Sequence, residues 1–275
     1  MKPKQKKKSR KSSRKGIFIL PNLFTSASLF GGFYAIIAAI QGRYEGAAIA
    51  IIISSVFDGL DGRIARFTGT TSNFGIEYDS LSDLVAFGVA PATLAFLWAL
   101  EPFGRLGWLA AFMYVICGAL RLARFNVEKR TIPSNYFKGL PIPAAACFIS
   151  SLILFSSTLK GFTDNRHILI IFMIYILSFL MVSSLNYPSF KEFNIRNQKP
   201  FNVLVSIILI FMVIAYKPKI LLFLIMFVYV LAGPVITLFR FHRRQSWRKR
   251  VSNTLSDDNM DIKEIDRLSD RGISV

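Results

Sequence analysis

The chain predicts an all-α, polytopic membrane helix bundle, and three observations predict it. Of its 275 residues, 53% are hydrophobic and only 18% charged, with a mean hydropathy of +0.45. The charge, a formal net of +18, is gathered in short patches instead of being spread over a surface as in a soluble protein. Between those patches, apolar runs long enough to cross a bilayer follow one another along most of the chain.

Residues 1–15 are a block of Lys, Arg and Ser with almost nothing to bury, so a disordered tail is expected. A cleavable signal would need a short apolar core and a small-residue cleavage site, whereas a full-length span begins near Leu20. A basic tail can bind nucleic acid, but the adjoining span argues against that and for contact with anionic lipid headgroups on the cytoplasmic side.

The apolar runs cover residues 22–40, 46–67, 74–100, 106–125, 140–158, 168–185, 201–216 and 220–239. They predict about eight transmembrane helices, the run 201–216 being marginal in length. An even number puts both termini on one side. With the N-terminus cytoplasmic, 28 of the 34 Lys and Arg lie inside, and Arg43, Arg105, Lys160, Arg166, Lys217 and Lys219 are the six outside. That is a strong positive-inside bias, and it expects both termini in the cytoplasm, at the inner membrane if the source is bacterial.

After residue 239, Arg240, Arg243, Arg244, Arg248, Lys249 and Arg250 form a second inside anchor, and 251–275 is mixed in charge and poor in apolar residues. The expected organisation is a basic tail (1–19), a catalytic transmembrane core (20–186), additional C-terminal helices (187–240) and a cytoplasmic tail (241–275). Cys117 and Cys147 fall in apolar runs and read as small buried hydrophobes, not as a disulfide or metal pair. His167 and His242 are isolated, and neither builds a zinc site alone.

Against this background the stretch DGLDGRIARFTGTTSNFGIEYDSLSD, residues 58–83, stands out. An ionised carboxylate at membrane depth is costly unless it is paired, metal-bound or facing a water-filled cavity. At about 100° per residue, Asp58, Asp61, Gly62, Ala65 and Arg66 share one helical face, and Asp79 and Asp83 share a face of the next helix. The polar, Gly-containing run 67–74 between them reads as a tight turn, so the two helices pack antiparallel and their carboxylates face each other.

Four carboxylates that close cannot all stay ionised without a cation, and an all-oxygen set favours Mg²⁺ or Mn²⁺. Gly62 and Ala65 leave room for a phosphate, and Arg66 adds a cation at the rim. Counted from Gly46, Asp58 lies roughly 18 Å along a helix that crosses a core of about 30 Å, in the inner-leaflet third. A lipid-linked diphosphate would arrive at that depth. A cation-coupled transporter, using the same carboxylates as a relay, is the non-enzyme alternative.

Asp58-x-x-Asp61-Gly62-x-x-Ala65-Arg66, eight residues, Gly75, three residues, Asp79, three residues and Asp83 resembles the complete signature of the CDP-alcohol phosphotransferase family. Three further stretches are similar to its phosphatidylserine synthase branch: 79–92, Arg121-Leu122-Ala123-Arg124-Phe125-Asn126, and Tyr136-Phe137-Lys138-Gly139-Leu140-Pro141-Ile142-Pro143. The likeness runs from about Leu20 to Ala146.

The resemblance implies a six-helix catalytic core, a homodimer and two divalent ions per site. It implies that Asp58, Asp61 and Asp79 bind the first ion, and Asp58, Asp79 and Asp83 the second, with Asp83 also the general base. It places CDP-diacylglycerol against Asn22, Thr25, Gly62, Ala65, Arg66 and Gly75. Asn22 and Thr25 open the first helix and would look the same as plain caps. The reaction implied is transfer of a phosphatidyl group to L-serine.

Arg121, Arg124, Asn126 and Lys138 are candidates for holding the acceptor or a phosphate, with headgroup anchoring as the other reading of the cations. The same cations would suit glycerol 3-phosphate, inositol or inositol phosphate, so residue chemistry leaves the acceptor open.

Overall fold

The computed structural model describes residues 19–68, 72–131, 137–158, 166–187 and 217–237. Among these are seven helices: α1 (Ile19–Ile40), α2 (Tyr44–Thr68), α3 (Asn73–Phe103), α4 (Arg105–Thr131), α5 (Ile142–Ser156), α6 (Arg166–Val182) and α7 (Pro218–Thr237). A two-residue antiparallel ladder pairs β1 (Phe137–Lys138) with β2 (Asn186–Tyr187), Phe137 opposite Tyr187. Both tails and the expected span 201–216 lie outside the described residues.

The turn from α1 to α2 depends on Gly42, whose φ of 74° favours glycine. Its N–H reaches Ala39 O at 3.0 Å, and the next N–H reaches Ala38 O at 2.8 Å, closing the end of α1. The two helices then run side by side mostly on small buried residues, Ala35, Ala38 and Ala39 from α1 with Ala47 and Ala48 from α2, beside the larger Ile51. Small side chains allow close backbone approach where no water drives association.

Helix α3 is not uniform. It is α-helical to Asp83, π-helical over Leu84–Val89, α-helical again over Ala90–Ala95 and π-helical over Phe96–Leu100. A π turn inserts a residue and rotates everything beyond it, so the face bearing Asp79 and Asp83 is offset from the core face bearing Phe87 and Leu94. Two neighbours seat the first π turn. Gly32 of α1 sits where an added Cβ would lie 2.5 Å from Ala86 Cα, and the buried Tyr114 hydroxyl donates to Phe87 O at 3.1 Å.

The core continues through Leu100, Leu140, Ile142, Ile149, Ile153, Ile174 and Leu177, all fully buried. Gly139 N–H donates to Leu185 O at 2.8 Å and Leu140 N–H to Leu180 O at 3.0 Å, joining the start of α5 to the end of α6. Helix α7 stacks Phe223 on Phe155 with ring centroids 4.7 Å apart, and the buried Tyr187 donates its hydroxyl to Val230 O at 3.2 Å. Exposed Phe30, Phe33, Ile40, Phe112, Phe172 and Phe179 leave an apolar outer surface suited to lipid, as an integral membrane protein requires.

The expectation of about eight transmembrane helices is corrected. Among the described residues four helices are long and apolar enough to cross a bilayer: Pro21–Ile40, Asn73–Phe103, Arg105–Glu128 and Pro218–Thr237. Helix α2 has the length, but every 18-residue stretch of it contains at least three of Glu45, Asp58, Asp61, Arg63 and Arg66. Helix α5 has 15 residues, about 22 Å against a core of about 30 Å, and the apolar part of α6, Ile168–Val182, is as short. An apolar run shows where a chain avoids water, not how much of it becomes one long uncharged helix.

Candidate functional site

Asp58 and Asp61 project from α2 and Asp79 from α3, and a carboxylate oxygen from each lies within 4.8 Å of the others. Asp61 is buried, and Asp58 and Asp79 are half-buried. Asp83, one turn further along α3, is within hydrogen-bonding reach of Asp58. The carboxylates of the two helices therefore meet, with Asp58, Asp61 and Asp79 in one group and Asp83 beside Asp58, although α2 packs mainly on α1 and little on the Asn73–Asp83 stretch of α3.

Such a group fits a divalent cation. Oxygens bound to one Mg²⁺ at about 2.1 Å are at most about 4.2 Å apart, so small side-chain rotations would bring these three into one coordination shell. Without a cation, three carboxylates in a low-dielectric setting would repel one another strongly. The donor set is all oxygen, the chemistry of a site for a hard divalent cation.

Helix α1 holds the cluster together. Thr25 Oγ1 donates to Asp61 Oδ2 at 2.8 Å, and Ser82 Oγ, on α3 between Asp79 and Asp83, donates to Thr25 O at 3.1 Å. Ser26 and Tyr78 hydroxyls are hydrogen-bonded at 2.9 Å, a second link between α1 and α3. Ser72 caps α3 by accepting from Gly75 N–H at 3.0 Å. A Cβ on Gly75 would sit 3.4 Å from Asn22 Oδ1, so the glycine lets Asn22 come close to the start of α3. Gly62 is exposed, and a Cβ there would meet nothing within 4 Å, which leaves open space beside Asp61.

The candidate acceptor residues separate by what they touch. Arg121 of α4 is 8% exposed, lies 5.6 Å from the Phe125 ring centroid, and is within electrostatic reach of Asp83, Asp58 and Tyr229 of α7. Arg124 pairs with Glu128 at 3.1 Å and donates to Val182 O at 3.3 Å, tying α4 to the end of α6. Asn126 Nδ2 donates to Ser80 Oγ at 2.8 Å. Ala65 and Arg66 continue α2 beyond Asp61 and Lys138 lies in β1, but their side chains fall outside what is described.

Sequence reasoning did not single out Ser26, Tyr78, Ser82 or Tyr229. Serines and tyrosines on apolar helices carry no spacing signal, and only packing shows which of them reach a neighbouring helix.

A membrane helix bundle in which carboxylates of two adjacent helices meet beside a buried arginine has the makings of a metal-dependent transferase acting on a membrane-borne anion. The chain belongs to the CDP-alcohol phosphatidyltransferase family, whose model matches residues 18–185, from α1 to α6. It is 39% identical over 223 residues to a CDP-diacylglycerol–serine O-phosphatidyltransferase of Helicobacter pylori, covering 81% of this chain and 92% of that one. It is 37% identical to the enzyme of that name from Bacillus subtilis, over 65% of this chain and 94% of the relative. To the archaetidylserine synthase of Methanothermobacter thermautotrophicus it is 40% identical, over 62% and 69% of the two chains.

Proposed function

We propose that this protein transfers a phosphatidyl group from CDP-diacylglycerol to L-serine, producing phosphatidylserine and CMP. The observation that carries the reading is the meeting of Asp58, Asp61 and Asp79 from two helices inside an apolar bundle. The family membership and the serine in the names of the relatives support it.

In this reading Asp58, Asp61 and Asp79 hold one divalent ion, and Asp58, Asp79 and Asp83 hold a second. Such ions, Mg²⁺ or Mn²⁺, supply charge neutralisation for the diphosphate and the departing CMP. Asn22, Gly62, Ala65, Arg66 and Gly75 shape the place of the nucleotide-linked donor, Gly62 through the open space at its Cα. Arg121 offers a buried guanidinium to the acceptor's carboxylate, an anion that a planar guanidinium can bind through two hydrogen bonds.

Asp83 accepts the proton of the serine hydroxyl as its oxygen bonds to the phosphorus bearing diacylglycerol. The bond from that phosphorus to the CMP oxygen breaks. A base in contact with a poor nucleophile is worth about 10²–10⁴-fold in rate. The site opens to the cytoplasm, where serine is drawn from water while the acyl chains of the donor stay in lipid, and the enzyme works as a homodimer.

The test is an acceptor panel. Purified protein in detergent is given CDP-diacylglycerol, Mn²⁺ and, in parallel, serine, glycerol 3-phosphate, inositol or inositol phosphate, and the lipid formed is identified by mass. Serine-dependent phosphatidylserine is expected. Another lipid would keep the chemistry and change the acceptor. No CMP release from solubilised protein would favour an ion-coupled transporter, which needs a gradient and performs no transfer.

A further inference from the structure

We propose that Thr25 is a positioning residue of the carboxylate cluster, setting the orientation of Asp61 on α2 while being held in place from α3. The inference rests on the reading above, in which Asp61 is a metal ligand.

Thr25 is 4% exposed, one turn into α1 from Pro21. A threonine hydroxyl has a single proton to donate, and two acceptors lie near it, Asp61 Oδ2 at 2.8 Å and Pro21 O at 3.2 Å. The carboxylate is the closer, and a bond to an ionised acceptor is about twice as strong as a neutral one, so the proton goes to Asp61. That bond fixes the plane of a carboxylate whose neighbours, Asp58 and Asp79, must present oxygens to the same point.

The backbone of Thr25 is engaged as well. Its carbonyl accepts from Ser82, a residue 1% exposed that lies between Asp79 and Asp83 on α3. One residue of α1 thus touches a ligand of α2 through its side chain and the ligand-bearing turn of α3 through its main chain. Outer partners that orient ligands in this way typically account for 10–100-fold in metal affinity.

The experiment compares wild type, Thr25→Val, Thr25→Ser and Asp61→Asn, purified in detergent without substrates. Free Mn²⁺ is read by electron paramagnetic resonance during titration. Thr25→Val, close in shape but without the hydroxyl, is expected to weaken Mn²⁺ binding 10–100-fold. Thr25→Ser should stay within about threefold of wild type, since it keeps the donor. At saturating Mn²⁺ the KM for CDP-diacylglycerol in Thr25→Val should be unchanged.

Wild-type Mn²⁺ affinity in Thr25→Val would overturn the inference, as would a raised donor KM with metal binding intact, the signature of a substrate contact. Absence of Asp61-dependent Mn²⁺ binding in the wild type would sink the metal reading itself, a result distinct from the other two. If the valine variant does not fold, Thr25→Ala carries the same comparison.

Discussion

Asn126 of α4 donates its side-chain amide to Ser80 Oγ across 2.8 Å, reaching the single turn of α3 that separates Asp79 from Asp83. Ser80's own proton goes to Ile76 O at 3.0 Å, so the serine is left to accept. Removing either partner should cost about 1 kcal/mol of stability, the usual net worth of such a bond. In a double-mutant cycle read by thermal unfolding, Asn126→Ala and Ser80→Ala should be non-additive; strict additivity would mean that the pair does not join the helices.

Two glycines near the site should behave oppositely. A Cβ on Gly32 would lie 2.5 Å from Ala86 Cα and 2.8 Å from Ala86 Cβ, in the π turn that follows Asp83. Gly32→Ala should therefore cost 1–3 kcal/mol or more, about the range for overpacking, and lower the yield of folded protein. Gly62 has open space at its Cα, so Gly62→Ala should unfold like wild type while raising the KM for CDP-diacylglycerol. Equal thermal stability for the two variants would contradict the packing described.

Asp83→Asn keeps the size of the side chain and removes its basicity. If Asp83 takes the serine proton, kcat should fall by about 10²-fold or more while the donor KM changes little. Turnover at the wild-type rate would remove Asp83 from that role.

Lys219 of α7 meets Glu45 at the start of α2 at 2.7 Å, and its amine also donates to Ser157. Lys219 beside Glu45 lowers that carboxyl from its ordinary value. The contribution of the pair is then present above the unfolded value of Glu45 and fades as pH falls through its lowered folded value. Both groups are substantially exposed, so Glu45→Gln should change stability by no more than about 1 kcal/mol, measured by thermal unfolding at neutral pH.

The carboxylate cluster was legible because helical spacing alone puts Asp58 with Asp61 and Asp79 with Asp83, and only a few polar residues separate the two pairs' helices. The all-helical membrane character was legible from composition. The π turns of α3 were not, since a π turn has no local signature; here it is seated by Gly32, Ala86 and the Tyr114 hydroxyl, which are far apart in sequence. The number of spans was not legible for a related reason. Helices α5 and α6 end where turns and the β1–β2 ladder redirect the chain, and an apolar stretch does not announce its last helical residue. The bond from Thr25 to Asp61 joins residues 36 apart, and no pattern within one helix points to it.

The proposed chemistry needs a divalent ion held between α2 and α3, and crystals of the protein soaked in Mn²⁺ and measured at the manganese absorption edge would reveal one. An anomalous peak is expected in contact with Asp58, Asp61 and Asp79, and it should be lost in Asp61→Asn. A soaked crystal with no peak among these carboxylates, or with manganese bound only elsewhere, would contradict it.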